Sequence, residues 1–333
     1  MTRIAVIGAG RIGQVHARAV QAHPGAELTL VCDPSAADAK ALAERHGVPW
    51  CLDVDDVFAS DADAVIIGSP TRFHVDQILG AVAAGKKVLC EKPVALEVSE
   101  AERCLTELDD NADVMMGFNR RFDPTFSEIH RRVADGEIGD LHQLTVVSRD
   151  PSAPPAGYVA GSGGIFKDMT IHDFDMVRFF LGDIVEVIAL GTNVDEDIRT
   201  QGDFDQVMVT LKSADGRMAT IINSRTCAFG YDQRLEAFGS EGALTADNLT
   251  ATSVRKASGQ QTEAKSRVMD FFLDRYVDAY RLELDAFLTA IAEGAAMSPS
   301  VRDGYEALRL AEAAGISARE GRVVRLGQVV PTL

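Results

Sequence analysis

Five short apolar runs punctuate the first third of the chain: "RIAVIG" from Arg3, "ELTLVCD" from Glu27, "AVIIGS" from Ala64, "KVLCE" from Lys87 and "VMMGF" from Val114. Their length and their Val and Ile content predict buried strands. The stretches between them, "IGQVHARAVQAH", "AADAKALAERHG", "FHVDQILGAVAAG" and "VSEAERCLTELDD", space apolar residues by three and four positions and predict helices. Strand and helix in alternation predict a parallel sheet with covering helices, a doubly wound α/β domain.

Near residue 120 the rhythm changes. After a helical segment at "TFSEIHRRVADGEIG" come the strand "LHQLTVVSRD", the loop "PSAPPAG", and the successive runs "IVEVIALG", "DQVMVTLKS", "RMATIINSRT" and "QRLEAFGSEGALTAD". Turns such as "SADGR" and "GSEG" join some of these runs, which predicts a mostly antiparallel sheet. Helices at "DAYRLELDAFLTAIAEG" and "SVRDGYEALRLAEAAG" and a short "RVVRL" close the chain. The pattern divides the chain into residues 1–120 and an α+β domain of residues 121–333. There are too few helices to cover the second sheet on both faces, so one face is expected to stay open and to mediate assembly.

Between Gly163 and Gly182, "GGIFKDMTIHDFDMVRFFLG" reads as one helix, with Met169, Ile171, Phe174, Val177, Phe180 and Leu181 as its apolar positions and Gly182 as its stop. On a continuous helix Asp168 and His172 would sit one above the other. Either Asp168 charges the first turn while His172 and Asp175 are solvated, or the pair carries chemistry.

Composition narrows the partners. The 333 residues hold 50 Asp and Glu against 33 Lys and Arg, a formal charge of −17, which argues against nucleic acid or an anionic membrane surface as partner. No apolar run approaches the about 18 residues of a membrane span, and the first strand begins too early for a signal peptide. Five scattered cysteines without a C-x-x-C pair suit a reducing cytoplasm better than a disulfide framework, and no zinc spacing is present.

Gly8, Gly10 and Gly13 have G-x-G-x-x-G spacing between the first strand and helix, and Asp33 ends the second strand 20 residues after Gly13. The glycines permit a tight turn, backbone approach to a pyrophosphate and close helix packing, while an acid at Asp33 accepts the adenosine ribose hydroxyls. Turn glycines followed by a capping Asp would look similar, but the βαβ setting favours a dinucleotide. Asp33 repels a 2′-phosphate and neither Pro34 nor Ser35 receives one, so NAD is expected over NADP. Cofactor contacts are assigned to Gly8, Gly10, Arg11, Ile12, Gly13 and Asp33, and to later strand exits at Ser69, Pro70, Thr71, His74 and Glu91. Lys92, held in extended geometry by Pro93, is either a solvated surface lysine or a cation beside the nicotinamide that polarises a substrate hydroxyl. Arg120, Asp150 and Tyr231 are candidate substrate contacts. Arginines placed as Arg120 and Arg121 are in "GFNRRFDP" are more often structural ion pairs than substrate ligands, and Arg120 is the candidate of the two.

Taken together, G-x-G-x-x-G at Gly8, "EKP" at Glu91 to Pro93, "GFNRRFDP", and "SRDP" followed by "SGGIFKDMTIHDFDMVRFF" resemble the Gfo/Idh/MocA oxidoreductases over nearly the whole length. The resemblance is strongest to the members that oxidise inositol. It implies a Rossmann domain followed by an open-faced α+β domain, a catalytic set of Lys92, Asp168 and His172, a cis Lys–Pro bond, and tetramers assembled through the second sheet. One position departs: Ser148 stands where some inositol-oxidising members carry a His. The implied reaction is NAD-dependent oxidation of a cyclic polyol, myo-inositol to 2-keto-myo-inositol. His172 would serve as general base, Asp168 would orient His172 or bind a hydroxyl, and Lys92 would polarise the reacting oxygen. An aldose or other sugar is the alternative substrate. A non-catalytic dinucleotide-binding regulator would be expected to have lost Lys92 or His172.

Overall fold

The first apolar run becomes β1 (Thr2–Ile7) and ends on the glycine turn, from which α1 (Arg11–Ala22) leads back across the sheet. The alternation continues through β2 (Ala26–Cys32), α2 (Ala36–His46), β3 (Trp50–Cys51), α3 (Val54–Phe58), β4 (Ala64–Ile67), α4 (His74–Ala83), β5 (Lys87–Glu91), α5 (Val98–Glu107) and β6 (Val114–Gly117). Local chemistry sets several boundaries: Ser35 caps α2 through Asp38 N–H, and Gly47 ends it in the left-handed conformation at φ +69°. The strands pair in the order β3-β2-β1-β4-β5-β6, every pair parallel. The order reverses between β1 and β4, which opens a crevice beyond their carboxyl ends. The structure is a computed structural model that describes residues 1–109 and 112–329. Asp110, the last residue of the fourth predicted helical segment, lies outside them.

The chain divides into two units, Met1–Phe122 with Asp278–Leu308, and Asp123–Val277 with Arg309–Leu333. The pattern's division into residues 1–120 and 121–333 differs from this: residues 278–308 cluster with the Rossmann unit. The reason is packing: Leu284, Phe287 and Leu288 of α12 (Val277–Glu293), with Met297, join the core built by Ile4, Val6, Val20, Val31, Ile66 and Leu89. Helical periodicity shows that such a face must be buried but not which sheet buries it.

The second unit contains α6 (Pro124–Ala134), β7 (Leu141–Arg149), α7 (Ala156–Ser162), α8 (Gly164–Asp168), α9 (Ile171–Leu181), β8 (Ile184–Thr192), α10 (Glu196–Thr200), β9 (Gln206–Ser213), β10 (Met218–Ser224), β11 (Asp232–Gly239) and β12 (Ala243–Ala246). A small ribbon of β13 (Arg255–Lys256) and β14 (Ala264–Lys265) and the short α11 (Phe272–Arg275) precede α12; α13 (Val301–Glu320), β15 (Val324–Arg325) and α14 (Leu326–Val329) end the chain. The sheet order is β12-β11-β7-β10-β9-β8-β15, with β7 and β10 parallel and the other pairs antiparallel.

Strand burial alternates with period two, so one face of this sheet is core and the other is not. Register aligns Leu190, Met208, Ile222 and Val147 in one cross-strand row, and Ile188, Thr210, Thr220 and Thr145 in the next. On this outward face Leu190 is 67% exposed and Met208 60% exposed. No helix among the described residues is long and apolar enough to cross a membrane.

Glu283 is an exception on the buried side of α12. It is fully buried, and neither carboxyl oxygen has a hydrogen-bond partner. Burial pushes its pKa well above the ordinary carboxyl range, and the nearby charge of Glu91 adds to the shift. Because the folded form prefers the neutral acid, this stabilising preference is complete below the unfolded-state value of about 4.3 and is lost as pH rises toward the folded value. Glu283→Gln should therefore flatten the decline of stability with rising pH. Urea midpoints of native and variant protein that ran parallel across the acid-to-alkaline series would contradict this.

Candidate functional site

The Rossmann unit presents its chemistry at the exits of β1, β2, β4 and β5. Gly8 sits at φ +99°, and a Cβ there would lie 2.6 Å from the Gly68 carbonyl group. At Gly13 a Cβ would lie 1.8 Å from the Gly8 carbonyl oxygen, so no larger residue allows helix and strand to approach this closely. Beside Gly10, by contrast, a Cβ would meet nothing within 4 Å, and no side chain caps the amino end of α1. The amino end of a helix favours an anion and the space beside Gly10 admits one, so the residues fit the diphosphate of NAD. Arg11 and Ile12 begin α1 at the same place, with Arg11 exposed.

Asp33 is built into this loop. Its Oδ2 accepts the Ala9 N–H and its Oδ1 accepts the Ser35 N–H, both at 2.8 Å. A carboxylate offers roughly four acceptor sites, so capacity remains for ribose hydroxyls.

At the β4 exit, Ser69 Oγ donates to Gln77 Oε1 at 2.6 Å, Pro70 is exposed, and Thr71 begins a single 3-10 turn. His74, a candidate cofactor contact by sequence, has a buried ring: Nδ1 lies 2.8 Å from the Pro93 carbonyl oxygen and Nε2 2.9 Å from that of Ser69. Burial lowers its pKa while the two carbonyls pull it upward. His74 ties the β4 exit to the β5 exit, and its ring nitrogens are occupied by main chain. Glu91 likewise turns inward, its Oε1 2.8 Å from His16 Nε2, and the His16 ring stands edge-on to Tyr280. Lys92 follows with intermediate exposure, joined to Pro93 by a cis peptide bond. Arg120 is 3% exposed in this unit, and Arg121 pairs with Asp303 at 3.1 Å.

In the second unit the expected single helix is two. α8 ends at Asp168, a turn at Met169 and Thr170 follows, and α9 restarts at Ile171. Met169 N–H and Thr170 N–H both donate to the Ile165 carbonyl, while Asp173 N–H and Phe174 N–H both donate to that of Thr170. Asp168 thus closes one helix and His172 lies in the first turn of another, so they are not stacked on one continuous helical face. Both are half-buried. Asp175, which solvation would have exposed, is 1% exposed.

Two groups that sequence reasoning missed hold Asp168. Tyr158 donates its hydroxyl to Oδ1 at 3.0 Å, and Arg225 donates to Oδ2 at 3.2 Å. The only sequence signal for Arg225 is a cation directly after the buried strand run "MATIINS". Beside His172, Asp173 is fully buried and receives Ser148 Oγ at 2.7 Å and Asn223 Nδ2 at 2.7 Å. Ser148 also reaches Gln233 Oε1, which accepts from Tyr276. The Ser at the departing position therefore fixes the amino end of α9. Asp150 N–H donates to the Ser224 carbonyl, and Tyr231 is 6% exposed, edge-on to Tyr276 and Phe271. No group of metal-binding side chains is present among the described residues.

The profile described as "Oxidoreductase family, NAD-binding Rossmann fold" matches residues 2–118, and that of the Gfo/Idh/MocA C-terminal domain matches residues 126–245. An inositol 2-dehydrogenase of Rhizobium meliloti (strain 1021) is 44% identical, over 97% of this chain and 99% of that protein. The crystal structure of a myo-inositol dehydrogenase from Corynebacterium glutamicum ATCC 13032 superposes with a TM-score of 0.95 at 49% identity, covering 100% of both chains. A scyllo-inositol dehydrogenase from Lactobacillus casei, solved with NAD(H) and scyllo-inositol bound, superposes with a TM-score of 0.92 at 29% identity, covering 98% of this chain and 100% of that one.

If Asp33 discriminates against a ribose phosphate, Asp33→Ser should lower the preference for NADH over NADPH by about tenfold or more, the scale of removing a like-charge contact. Fluorescence titration with each nucleotide measures the ratio; an unchanged ratio would exclude Asp33 as the selector.

Proposed function

The chain belongs to the Gfo/Idh/MocA oxidoreductase family, and from that premise we propose that it oxidises a cyclic polyol with NAD, converting myo-inositol to 2-keto-myo-inositol. The observation that carries this reading is the 44% identity to an inositol 2-dehydrogenase over nearly the whole length of both chains, and the Lys92, Asp168 and His172 of the sequence motifs supply the groups such an oxidation needs. NAD supplies the hydride acceptor. Lys92 polarises the reacting oxygen by its positive charge. His172 takes the hydroxyl proton on Nε2, since Nδ1 is buried. Asp168, held by Arg225 and Tyr158, orients His172 or receives a neighbouring hydroxyl. Arg120, Asp150 and Tyr231 are the further groups we assign to the polyol.

His172→Ala should lower turnover by about 10²- to 10⁴-fold while NADH affinity barely changes. In parallel, Asp168→Asn should mainly lower kcat if it orients the base and mainly raise KM if it binds a hydroxyl. Initial rates of NAD reduction against myo-inositol, scyllo-inositol and a panel of aldoses decide the substrate. Near-native turnover in His172→Ala, or a preference for an aldose, would overturn the respective assignment.

The outward sheet face supports assembly into a homotetramer, because Leu190, Met208, Met218 and Phe238 leave it apolar and exposed in the single chain. The five cysteines are free thiols, which suits a cytoplasmic setting. Light scattering of native protein should give a tetramer, and Leu190→Asp with Met208→Asp should dissociate it. A native monomer, or a double variant that remained tetrameric, would reject this face as the interface.

A further inference from the structure

Arg225 follows β10 and is 1% exposed, one of the largest fully buried side chains in the protein. A guanidinium taken out of water must be met by charge and hydrogen bonds. Here two carboxylates meet it: Nη1 donates to Asp168 Oδ2 at 3.2 Å and Nη2 donates to Asp203 Oδ2 at 3.4 Å. Its own main chain is fixed as well, since Arg225 N–H donates to the Asp205 carbonyl at 2.8 Å.

Asp203 does more than balance charge. Both of its carboxyl oxygens accept the N–H of Ile165 in the first turn of α8, at 3.1 and 3.0 Å. Asp168 is the last residue of that five-residue helix. The relay Asp203–Arg225–Asp168 therefore grips α8 at both ends: a carboxylate at its amino terminus, where exposed N–H groups favour an anion, and a cation on its final side chain. A helix this short is weak by itself, because nucleation is costly and few backbone bonds repay it. Its terminal side chain needs an external hold.

We propose that Arg225, anchored by Asp203, is a positioning residue for the reaction: it fixes the Asp168 carboxylate where α8 stops and so sets the geometry in which Asp168 acts. The proposal rests on the assignment of Asp168 to the reaction. Lys cannot replace Arg fully here, because one ammonium has no planar fork with which to bridge two carboxylates.

A double-mutant cycle tests the inference in the full-length protein with NAD and myo-inositol. Arg225→Gln should lower kcat/KM by about tenfold or more in the native background and by about twofold or less when Asp168 is already Asn, since groups acting through one another are not additive. The parameter that moves, kcat or KM, should be the one that Asp168→Asn moves, NADH affinity should stay native, and Arg225→Lys should recover part of the loss. Equal losses in both backgrounds would assign Arg225 to general stability and overturn the proposal, as would native kinetics in Arg225→Gln. Should Arg225→Gln fail to fold, Asp203→Asn carries the same cycle, because it keeps an oxygen for Ile165 N–H while weakening the hold on Arg225; additive losses there would be equally decisive. Native kinetics in Asp168→Asn alone would instead defeat the assignment of Asp168, an outcome read independently of Arg225.

Discussion

A charged group withdrawn from water has to be met by protein atoms, and this constraint shapes the chemistry-bearing ends of both sheets. An unpaired buried charge costs several kcal/mol, comparable to the about 5–15 kcal/mol that keeps a typical domain folded. Several polar residues near the strand exits are accordingly tied into named partner sets. Asp33 is held by two main-chain N–H groups, Asp173 by Ser148 and Asn223, and Arg225 by two carboxylates. The same bonds that remove the cost of burial fix the positions of side chains that could act on a ligand.

In the Rossmann unit this makes the loops interdependent. His74 joins the carbonyls of Ser69 and Pro93, so the exit of β4 and the segment carrying Lys92 are one assembly. Asp33 joins the exit of β2 to the glycine turn after β1. Neither His74 nor Glu91 needs to touch a cofactor to matter, because each acts on main chain or side chains that border the crevice. Glu283 shows the other side of the same physics: a carboxyl group buried near Glu91 is favoured as the neutral acid, which links the stability of this unit to pH.

The second unit solves a different problem. Its helical crossover between β7 and β8 is divided into short pieces, and the division at Met169–Thr170 lets Asp168 and His172 leave the regular helical spacing. Short helices forgo cooperative backbone stability, so side-chain bonds from the sheet, Arg225 to Asp168 and Asn223 and Ser148 to Asp173, take over the task of fixing them. The sheet's inner face thus supports these helices, while its outer face carries cross-strand rows of Leu190, Met208 and Ile222 and of Thr210, Thr220 and Thr145.

Much of this was legible in the residues. Alternating apolar runs and helical spacings determined the parallel sheet, because buried parallel strands demand continuous apolar sequence and their crossovers demand helices. The glycine spacing after the first strand pointed to the NAD-binding Rossmann domain, because the tight turn and close helix packing it permits are local to one βαβ unit. Lys92, Asp168 and His172 stood out through the motifs around them. Tertiary structure alone decided the remainder. Residues 278–308 joined the first unit because an apolar helix face specifies burial but not the partner that buries it. The stretch from Gly163 to Gly182 forms two helices whose start and the residues flanking their turn are held by Asp203, Arg225, Ser148 and Asn223, residues up to about sixty positions away. His74 turned inward because two carbonyls from separate loops converge on it. Sequence periodicity reports which faces must leave water; only the folded chain determines which distant donor meets each buried charge, and that pairing sets the position of the carboxylates of Asp168 and Asp173.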